Sequence, residues 1–431
     1  MNASTTRRSP RGRRAALLLG AALTVTALTV TALAAPTETA ASGQVLPAPT
    51  GPHQVGTVSL HLVDRSRHDP WVASRPDRQL MVSVRYPARD ADRYPLAPQM
   101  LPGEAAGFDA LNNFSGIPKG RVDWAATRSH AHEGAPVDRR GGPLPVVLYE
   151  PGALDPRALG TTLADDLASR GFIVITVDHT YDASAVQFPG GRVERSVLPQ
   201  EFARTKGDQG AITDLLKKVV AVNVADTRFV LDQVDALAAG RNPDADHRAL
   251  PKGLAGALDP HRVGMFGQSS GGMAALETMH EDPRLKAGAD LDGVLAYEQD
   301  DHTPGNPFPV AQDGLKQPFL LMGMQGNDRH TVPSWALLWS HSSGWHRDLT
   351  LRGGEHASFT DAESLLPQIG RRLQLPASTV RGTIGTVDPG QALAAQEAYI
   401  AAFFDEWLRG GTGDGLFNGP SPRFPVIDYV R

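Results

Sequence analysis

The chain has 431 residues, of which 41% are hydrophobic and 21% charged, and it contains no cysteine. This composition excludes wholesale disorder, disulfide bonds and thiol chemistry, so stability must come from the packing of a large core. The formal net charge of −5 disfavours nucleic acid and anionic membrane surfaces as main partners.

The first 34 residues have the composition of an export signal. Five arginines and no acid precede or open an apolar segment, and Ala-Leu-Ala at 32–34 offers a cleavage site after Ala34. Arg13 and Arg14 loosely fit a twin-arginine signal, and an uncleaved membrane anchor is the alternative. Cleavage removes five arginines, which changes the formal net charge from −5 to −10. The sequence therefore predicts a secreted, acidic mature protein.

The segment after the signal is expected to lead into the domain through a linker. Residues 35–55 are small, rich in proline and weakly charged. The segments 56–64 and 79–87 are rich in β-branched residues and predict two strands near a sheet edge. Residues 87–142 are mostly loop-like, with one helix expected near 104–113, and are interpreted as an insertion.

Two continuous apolar runs, 144–150 and 172–178, predict strands that are buried on both faces. The helical pattern of residues 158–171 separates them. Strands of this kind that alternate with helices indicate a parallel sheet covered on both sides. Residues 183–207 are interpreted as a second insertion, and residues 208–239 as one or two helices.

The same alternation continues to residue 409, and no internal repeat interrupts it. It predicts four further strands, at 262–267, 285–292, 318–325 and 347–354, and three helices, at 273–280, 334–341 and 391–409. The whole pattern predicts a single α/β domain over residues 56–431, with a mostly parallel central sheet and helices on both faces.

The stretch Gly267-Gln268-Ser269-Ser270-Gly271 has the G-x-S-x-G spacing of a nucleophile elbow. A serine hydroxyl is a weak nucleophile, so it needs exposure on a sharp turn, a base within reach and oxyanion donors. Ser270 does not fit the central position, because the residue two places before it is Gln268 rather than a small residue. Ser269 is therefore the candidate nucleophile, and the Ser270 backbone N–H is a candidate oxyanion donor.

The catalytic base should be a histidine that follows the elbow in the chain. Of the histidines after Ser269, His356 is favoured because it lies in a loop directly after the last predicted parallel strand. An imidazole on that loop can reach the elbow. The other histidines after the elbow are read as surface or core residues: His302, His330, His341 and His346.

The acid that orients the imidazole has two candidates. Asp292 ends the predicted strand that follows the nucleophile helix, and Asp328 follows the next strand. Asp290 has the opposite phase on its strand and is expected to serve packing or a turn. From the residues alone, Asp292 and Asp328 both remain open.

Several blocks, taken in order, resemble the platelet-activating-factor acetylhydrolase family of α/β-hydrolases, in its secreted or plasma form and its bacterial relatives. PVVLYEPG resembles the oxyanion strand of that family. GMFGQSSGG, GADLDGVL and HASFTD resemble its three catalytic blocks. The resemblance extends from about residue 51 to 409. Only the elbow is distinctive by itself; the order and spacing of the blocks carry the rest.

This resemblance implies an α/β-hydrolase fold with Ser269 as nucleophile, Asp292 as acid and His356 as base. It also implies oxyanion donors at the backbone N–H groups of Ser270 and Ala153. The chain departs from the family at Glu150-Pro151, where relatives usually have His-Gly. Proline has no N–H, which places the second donor at Ala153 or Leu154 in question. Glu150 is either a structural acid or a charge near the site.

Other chemistry-bearing residues receive simpler interpretations. Trp335 and Trp339 lie one helical turn apart, and core packing is favoured over an acyl groove. Two groups contain metal-ligand types but lie in polar, turn-rich sequence and are read as solvated loops: His130, His132 and Glu133, and Asp244, Asp246 and His247.

The sequence thus predicts an exported serine ester hydrolase that needs no cofactor or metal and cleaves short-acyl or lipid esters. Its partners are expected to be ester substrates, with transient contact to a lipid surface and an undetermined oligomeric state. The alternatives are a lipase or cutinase-type polyester hydrolase, a hydrolase-fold binding protein without activity and, more weakly, an exported acyltransferase.

Overall fold

The computed structural model describes residues 43–298 and 305–431. The predicted signal, residues 1–34, and His302 lie outside these ranges. All described residues belong to one compact unit. Within the described ranges, no helix has both the length and the hydropathy that crossing a membrane requires.

The strands and helices of the described ranges alternate along most of the chain. The strands are β1 (Gln54–Asp64), β2 (Arg78–Ala88), β3 (Leu96–Pro98), β4 (Arg128–Glu133), β5 (Leu144–Glu150), β6 (Ile173–Asp178), β7 (Ala185–Gln187), β8 (Val193–Arg195), β9 (Leu258–Gln268), β10 (Leu285–Leu291), β11 (Phe319–Gly323), β12 (His346–Leu351) and β13 (Ile427–Tyr429). The helices are α1 (Pro102–Leu111), α2 (Thr161–Ser169), α3 (Leu198–Arg204), α4 (Gln209–Ala238), α5 (Ser270–Glu281), α6 (Pro309–Asp313), α7 (Pro333–His341), α8 (Ala362–Leu373), α9 (Ala377–Ile384) and α10 (Pro389–Arg409).

Eleven of these strands form one sheet in the order β13-β12-β11-β10-β9-β5-β6-β2-β1-β4-β3. The six strands from β12 to β6 are parallel to one another, whereas β2 and β13 pair antiparallel at the two flanks. The carboxyl ends of the parallel strands meet at one edge, where open α/β sheets place their ligands. The predicted mostly parallel sheet is confirmed.

Successive residues of β5 point to opposite faces of the sheet and enter separate cores. Val146 and Leu148 pack in a cluster with residues of α4, α5 and α7. Val147 and Tyr149 pack in a second cluster with residues of α2 and α10. Burial on both faces explains why this strand reads as a continuous apolar run in the sequence.

Several elements differ from the sequence prediction. Residues 208–239 form one 30-residue helix, α4, rather than two. Helices α8 and α9 were not predicted, and β13 follows α10, which is therefore not the last element. Helix α8 contains Pro367 at its sixth position, and a proline inside a helix argues against that helix in sequence because it removes one backbone hydrogen bond.

The segment His130–Glu133 is strand rather than the predicted solvated loop. It belongs to β4, where alternate residues Ser129 and Ala131 are buried. His130 contacts the backbone oxygen of Leu46 at 2.9 Å, and His132 that of Tyr94 at 2.7 Å. In the described part of the chain, no group of three or more His, Asp or Glu side chains is arranged to hold a metal.

The predicted linker is packed over its carboxyl-terminal half. Leu46 is buried, and Thr50 donates from its N–H and its hydroxyl to Asp166 on α2. The N–H of Val45 donates to Gln368 on α8. The packed chain therefore begins before residue 56, because these contacts depend on helices far away in the sequence.

Candidate active site

Ser269 lies on the sharp turn between β9 and α5. Its backbone has φ 55° and ψ −124°, a strained conformation for a residue with a side chain. The flanking glycines make the turn sterically possible. A Cβ at Gly267 would lie 2.2 Å from the backbone of Gly271, and a Cβ at Gly271 would lie 2.1 Å from the backbone oxygen of Glu150. The sequence therefore folds locally into the predicted elbow.

The structure brings His356 and Asp292 together. His356 Nδ1 lies 2.6 Å from Asp292 Oδ2. The Asp292 side chain is fully buried, and its other oxygen accepts hydrogen bonds of 2.9 Å from the Met324 N–H and the Asn327 amide. These partners fix the carboxylate, and the carboxylate in turn fixes the orientation of the imidazole.

The electrostatic surroundings favour a charged imidazole. Desolvation lowers the pKa of His356, but the hydrogen bond to Asp292 and the charges of Asp292, Asp155 and Glu355 raise it above its ordinary value. Asp290 on β10, two residues before Asp292, is fully buried and accepts the Gly293 N–H at 2.8 Å. Burial raises the pKa of Asp290 well above its ordinary value, and its bond to the Gly293 N–H closes a local turn, in line with the packing or turn role expected for it.

The nitrogen of His356 that faces the elbow is contacted by Gln268. Gln268 Nε2 lies 3.1 Å from His356 Nε2 and also donates to the His356 backbone oxygen at 3.3 Å. Sequence reasoning treated Gln268 only as the variable position of the elbow motif. Nothing in the motif indicates its contact, because the partner is 88 residues away.

The backbone N–H groups available for an oxyanion lie beside Ser269. Ser270 is the first residue of α5, where N–H groups lack intrahelical acceptors. Gly152 to Asp155 form a turn, in which the Asp155 N–H donates to the Gly152 oxygen at 3.0 Å. Of the two candidate donors, the Leu154 N–H already donates to Asp182 at 3.2 Å. Ala153 lines a cavity that opens at Ser269.

Glu150 is held inside the protein and does not line the cavity that opens at Ser269. The Thr227 hydroxyl donates to it, and His179 Nε2 lies 3.3 Å from its other oxygen. His179 also contacts Asp226 at 3.0 Å. Burial lowers the pKa of His179, but the two carboxylates outweigh it and raise the pKa to about 10. Glu150 is thus a structural acid paired with a buried imidazolium.

The structure does not bring Asp328 to the candidate base. The Asp328 carboxylate accepts the N–H groups of His330 and Thr331 at 2.7 and 3.1 Å and closes its own turn. His346 stacks on Phe319 with ring centroids 5.0 Å apart. His330 contacts the backbone oxygen of Arg431, and His341 ends α7.

Both tryptophans of the predicted pair pack against neighbouring groups, and Trp339 contacts the His346 ring edge-on with centroids 4.2 Å apart. Trp335 is buried and donates to the Gly293 backbone oxygen at 2.6 Å, which supports the loop that carries Asp292. Trp339 lies under the guanidinium of Arg329, at 4.2 Å from the ring centre. Neither tryptophan lines the cavity at the elbow.

A cavity of about 570 Å³ opens at Ser269, Asp292, His356 and Ala153. Its walls are largely apolar and come from α3, α4, α5 and the loops after β10 and β11. The lining side chains away from the elbow include Leu198, Phe202, Leu216, Val219, Val220, Met273, Val294, Met324 and Val332, with Glu298 as the carboxylate. The second predicted insertion, residues 183–207, therefore contributes to the cavity through α3.

Comparisons with known proteins identify the family to which the chain belongs. The chain matches the family described as platelet-activating factor acetylhydrolase, isoform II, over residues 38–409. It is 29% identical to a probable 1-alkyl-2-acetylglycerophosphocholine esterase of Arthroderma benhamiae, covering 90% of this chain and 94% of that protein. It is 21% identical to platelet-activating factor acetylhydrolase of Cavia porcellus, covering 84% and 80%.

A solved structure extends the comparison to the fold. The chain is similar to a ferulic acid esterase from Streptomyces cinnamoneus, with a TM-score of 0.71 and 34% identity, over 90% of this chain and all of that one. The predicted α/β-hydrolase fold and the predicted family resemblance are confirmed by these matches.

Proposed function

The chain belongs to the platelet-activating factor acetylhydrolase, isoform II family and is a carboxylic ester hydrolase, and we propose that Ser269, His356 and Asp292 perform the hydrolysis. The observation that carries this proposal is the 2.6 Å contact of His356 Nδ1 with the buried Asp292, at the mouth of the cavity onto which strained Ser269 opens. Asp292 thereby leaves the other imidazole nitrogen, Nε2, as the proton acceptor.

The reaction proceeds through an acyl-enzyme. Ser269 Oγ attacks the ester carbonyl and gives its proton to His356 Nε2, a step in which Ser269 replaces Gln268 as the partner of that nitrogen. The Ser270 and Ala153 N–H groups stabilise the oxyanion. His356 then protonates the leaving alcohol, and a water molecule activated by His356 releases the acid from Ser269.

The first candidate substrates are short-acyl or lipid esters, as the family membership suggests. The name of one relative specifies such an ester, the acetyl ester of an alkylglycerophosphocholine, and we propose it as a substrate to test. The apolar wall that α3 and α4 contribute gives the apolar part of such an ester a surface on which to bind.

A second candidate is an ester of a hydroxycinnamic acid. The similar solved structure is a ferulic acid esterase, and a cavity of about 570 Å³ is much larger than an acetyl group requires. Pockets of 300–1,000 Å³ bind ligands of drug size, a range that includes an aromatic acyl group. Longer aliphatic esters, which a lipase or polyester hydrolase would prefer, fit the same volume.

Ester hydrolysis by purified protein tests both the chemistry and the substrate. We expect Ser269→Ala to remove nearly all turnover, leaving at most about 10³–10⁴-fold acceleration over water. Ser340→Ala, which removes an exposed hydroxyl on α7, is the matched control and should retain wild-type rates. Nitrophenyl esters of increasing acyl length, an acetylglycerophosphocholine ester and methyl ferulate rank the substrate classes. Full activity of Ser269→Ala would contradict the proposal.

Labelling by a fluorophosphonate separates an enzyme from a binding protein with the same fold. We expect one label per chain, located at Ser269 by peptide mass spectrometry and absent in Ser269→Ala. Added alcohol acceptors reveal any acyl transfer as new ester product. Folded wild-type protein that takes no label would favour the binding protein.

We also propose that the protein is exported and that the signal is removed after Ala34. The five arginines followed by an apolar segment support this proposal. Sequencing the amino terminus of protein recovered from the culture medium is the test. Retention in the cell with an intact Met1 would contradict it.

A further inference from the structure

The turn that carries the candidate oxyanion donor Ala153 contains a strained residue. Residues 152–155 form a β-turn that the hydrogen bond from the Asp155 N–H to the Gly152 oxygen closes, and Leu154 is its third residue. Leu154 has φ 70°. Glycine or asparagine is the usual residue at this position when φ is positive, because a larger side chain is strained there. Leucine keeps this conformation only where surrounding contacts hold it.

Contacts on three sides hold Leu154. Its N–H donates to Asp182 Oδ1 at 3.2 Å, and its backbone oxygen accepts the Ser184 N–H at 3.0 Å. Its side chain packs against a cluster of apolar side chains from α3 and α4, the helices that line one side of the cavity. The turn is thereby fixed to the loop after β6 and to the cavity wall, with Asp182 as the side-chain acceptor.

Asp182 is itself held in a strained loop. Its side chain is buried, and its N–H donates to the His179 oxygen at 2.9 Å. The residue before it, Tyr181, has φ 74°, and the Tyr181 oxygen accepts the Val197 N–H at 2.8 Å. Two strained residues, Tyr181 and Leu154, thus flank the hydrogen bond between Leu154 and Asp182. Backbone strain persists where the surroundings fix it, and it concentrates at functional sites.

This arrangement leaves the neighbouring Ala153 N–H available. Within the described ranges, the Ala153 N–H donates to no backbone acceptor, and Ala153 lines the cavity together with Ser269. The turn lies directly against the nucleophile, since a Cβ at Gly152 would lie 3.3 Å from Ser269 Cβ. An oxyanion donor must lie about 2.7–3.1 Å from the oxyanion, so a small shift of the turn would weaken its contribution.

We propose that Asp182 is a positioning residue for the esterase, which holds Leu154 in its left-handed conformation and so keeps the Ala153 N–H aimed at the oxyanion. Asp182 does not line the cavity and acts through the backbone of Leu154. The inference rests on the proposed function. Because the Ala153 N–H contributes most when the carbonyl oxygen becomes charged, loss of Asp182 should affect kcat more than KM.

Removal of the acceptor gives the first prediction. Complete loss of one oxyanion donor costs about 10²–10³-fold in kcat, so we expect a displaced donor in Asp182→Ala to cost about tenfold to hundredfold, with KM within about twofold of wild type. Asp182→Asn keeps an oxygen that accepts the Leu154 N–H, so its kcat should stay within about threefold of wild type.

A transition-state analogue reports on the oxyanion site directly. An alkyl trifluoromethyl ketone adds to Ser269 Oγ, and the oxygen of the resulting tetrahedral adduct occupies the oxyanion position. We expect its inhibition constant to rise in Asp182→Ala by the same factor by which kcat/KM falls. An inhibition constant that stays at the wild-type value while kcat falls would overturn the inference.

Leu154→Gly tests whether Asp182 acts by holding a strained residue. Glycine adopts positive φ without strain, so the turn needs the Asp182 contact less. In the Leu154→Gly background, we expect Asp182→Ala to lower kcat less than about threefold. An effect as large as in the wild-type background would show that Asp182 does not act through Leu154.

Asp244→Ala is the matched control for the loss of a buried carboxylate. Asp244 is buried and accepts the Asp246 N–H at 3.1 Å, in a loop that contacts β1 and does not line the cavity. We expect the control to lower stability in urea unfolding but to keep the wild-type kcat and inhibition constant. An equal loss of kcat in Asp244→Ala would show an effect of stability alone and overturn the inference.

Rates in every variant are expressed per active site titrated with the fluorophosphonate. If Asp182→Ala does not fold, Asp182→Ser takes its place, since the shorter side chain cannot reach the Leu154 N–H. Wild-type kcat in the variant without the acceptor would overturn the inference, as would an Asp182→Asn variant that is equally impaired. If wild type neither turns over ester nor takes the label, the proposed function fails instead.

Discussion

The contact between His356 Nδ1 and Asp292 Oδ2 determines which tautomer the imidazole adopts, and hence whether its other nitrogen can accept a proton. Asp292 is held by two further donors, so it cannot turn away when the imidazole becomes charged. Asp328, the other candidate acid, accepts hydrogen bonds from backbone N–H groups of its own loop instead.

These contacts lead to a prediction for the two acids. We expect Asp292→Asn to lower kcat by about 10⁴-fold, because the amide favours the wrong tautomer of His356. Asp328→Asn, the matched control on the neighbouring loop, should stay within about twofold to threefold of wild type. Steady-state kinetics on one nitrophenyl ester measures both. The reverse ranking would show that Asp328 is the acid.

The same pair predicts how activity depends on pH. Asp292 raises the pKa of His356 above its ordinary value, and the base must be neutral to act. Activity in kcat/KM is therefore lost as pH falls through that raised pKa. Residual activity of Asp292→Asn should decline at a lower pH than wild type, since the variant has lost the charge that stabilised the imidazolium. An unchanged or higher midpoint would contradict this assignment.

At the scale of elements, several strands and helices present different parts of the site at the carboxyl edge of the sheet. Strand β9 ends at the elbow, β10 ends before Asp292, and β12 leads to the loop of His356. Helices α3 and α4 close one side of the cavity with apolar side chains. The α3–α4 part of the substrate surface is thus carried by elements other than those that hold Ser269, Asp292 and His356, and it can be varied separately.

Phe202 on α3 tests whether this wall binds the acyl group. We expect Phe202→Ala to raise KM for long or aromatic acyl esters about tenfold and to change KM for acetyl esters less than threefold, because only the larger groups lose contact area. Phe229→Ala on α4 is the matched control: it is a partly buried phenylalanine that does not line the cavity. Equal effects on all acyl lengths would exclude α3 as an acyl-binding wall.

At the scale of the whole molecule, a buried network of charges joins the elbow side of the sheet to α4. Arg78 on β2 donates to Asp226 on α4, and Asp226 contacts His179 after β6. His179 in turn lies against Glu150 at the end of β5. Removal of one partner of such a network leaves an uncompensated buried charge.

This network predicts how stability depends on pH. The folded-state pKa of His179 is raised to about 10, above the ordinary value of 6.5. Its contribution to the free energy of unfolding is therefore fully present below pH 6.5 and is lost as pH rises through about 10. We expect His179→Leu to cost about 3–5 kcal/mol at neutral pH. The difference between wild type and variant should narrow as pH rises.

Urea unfolding of both proteins at several pH values measures that difference. His53→Leu is a control, because it removes a partly exposed histidine whose nearest carboxylate is 3.9 Å away. A difference that stays constant or grows with rising pH would show that His179 is neutral in the folded protein.

At Glu150-Pro151, where the chain differs from its family, the sequence did not determine the role of the side chain. The residues allowed Glu150 to be either structural or near the site, and only its contacts with Thr227 and His179 decided between them. Likewise, β4 read as a solvated loop because its burial depends on β1 and β3, which come from elsewhere in the chain. Contacts between distant segments leave no local pattern.

The sequence by itself determined the alternation of buried strands and helices, the elbow at Ser269 and the family resemblance, because periodicity and turn chemistry act over a few neighbouring residues. The family resemblance favoured Asp292 over Asp328 as the partner of His356, and the tertiary structure shows the contact between these two residues, which are 64 positions apart. The tertiary structure alone decided that Gln268 contacts His356 from 88 residues away. Such pairs form only when parallel strands bring their carboxyl ends to one edge, and no short-range pattern records which side chains then meet.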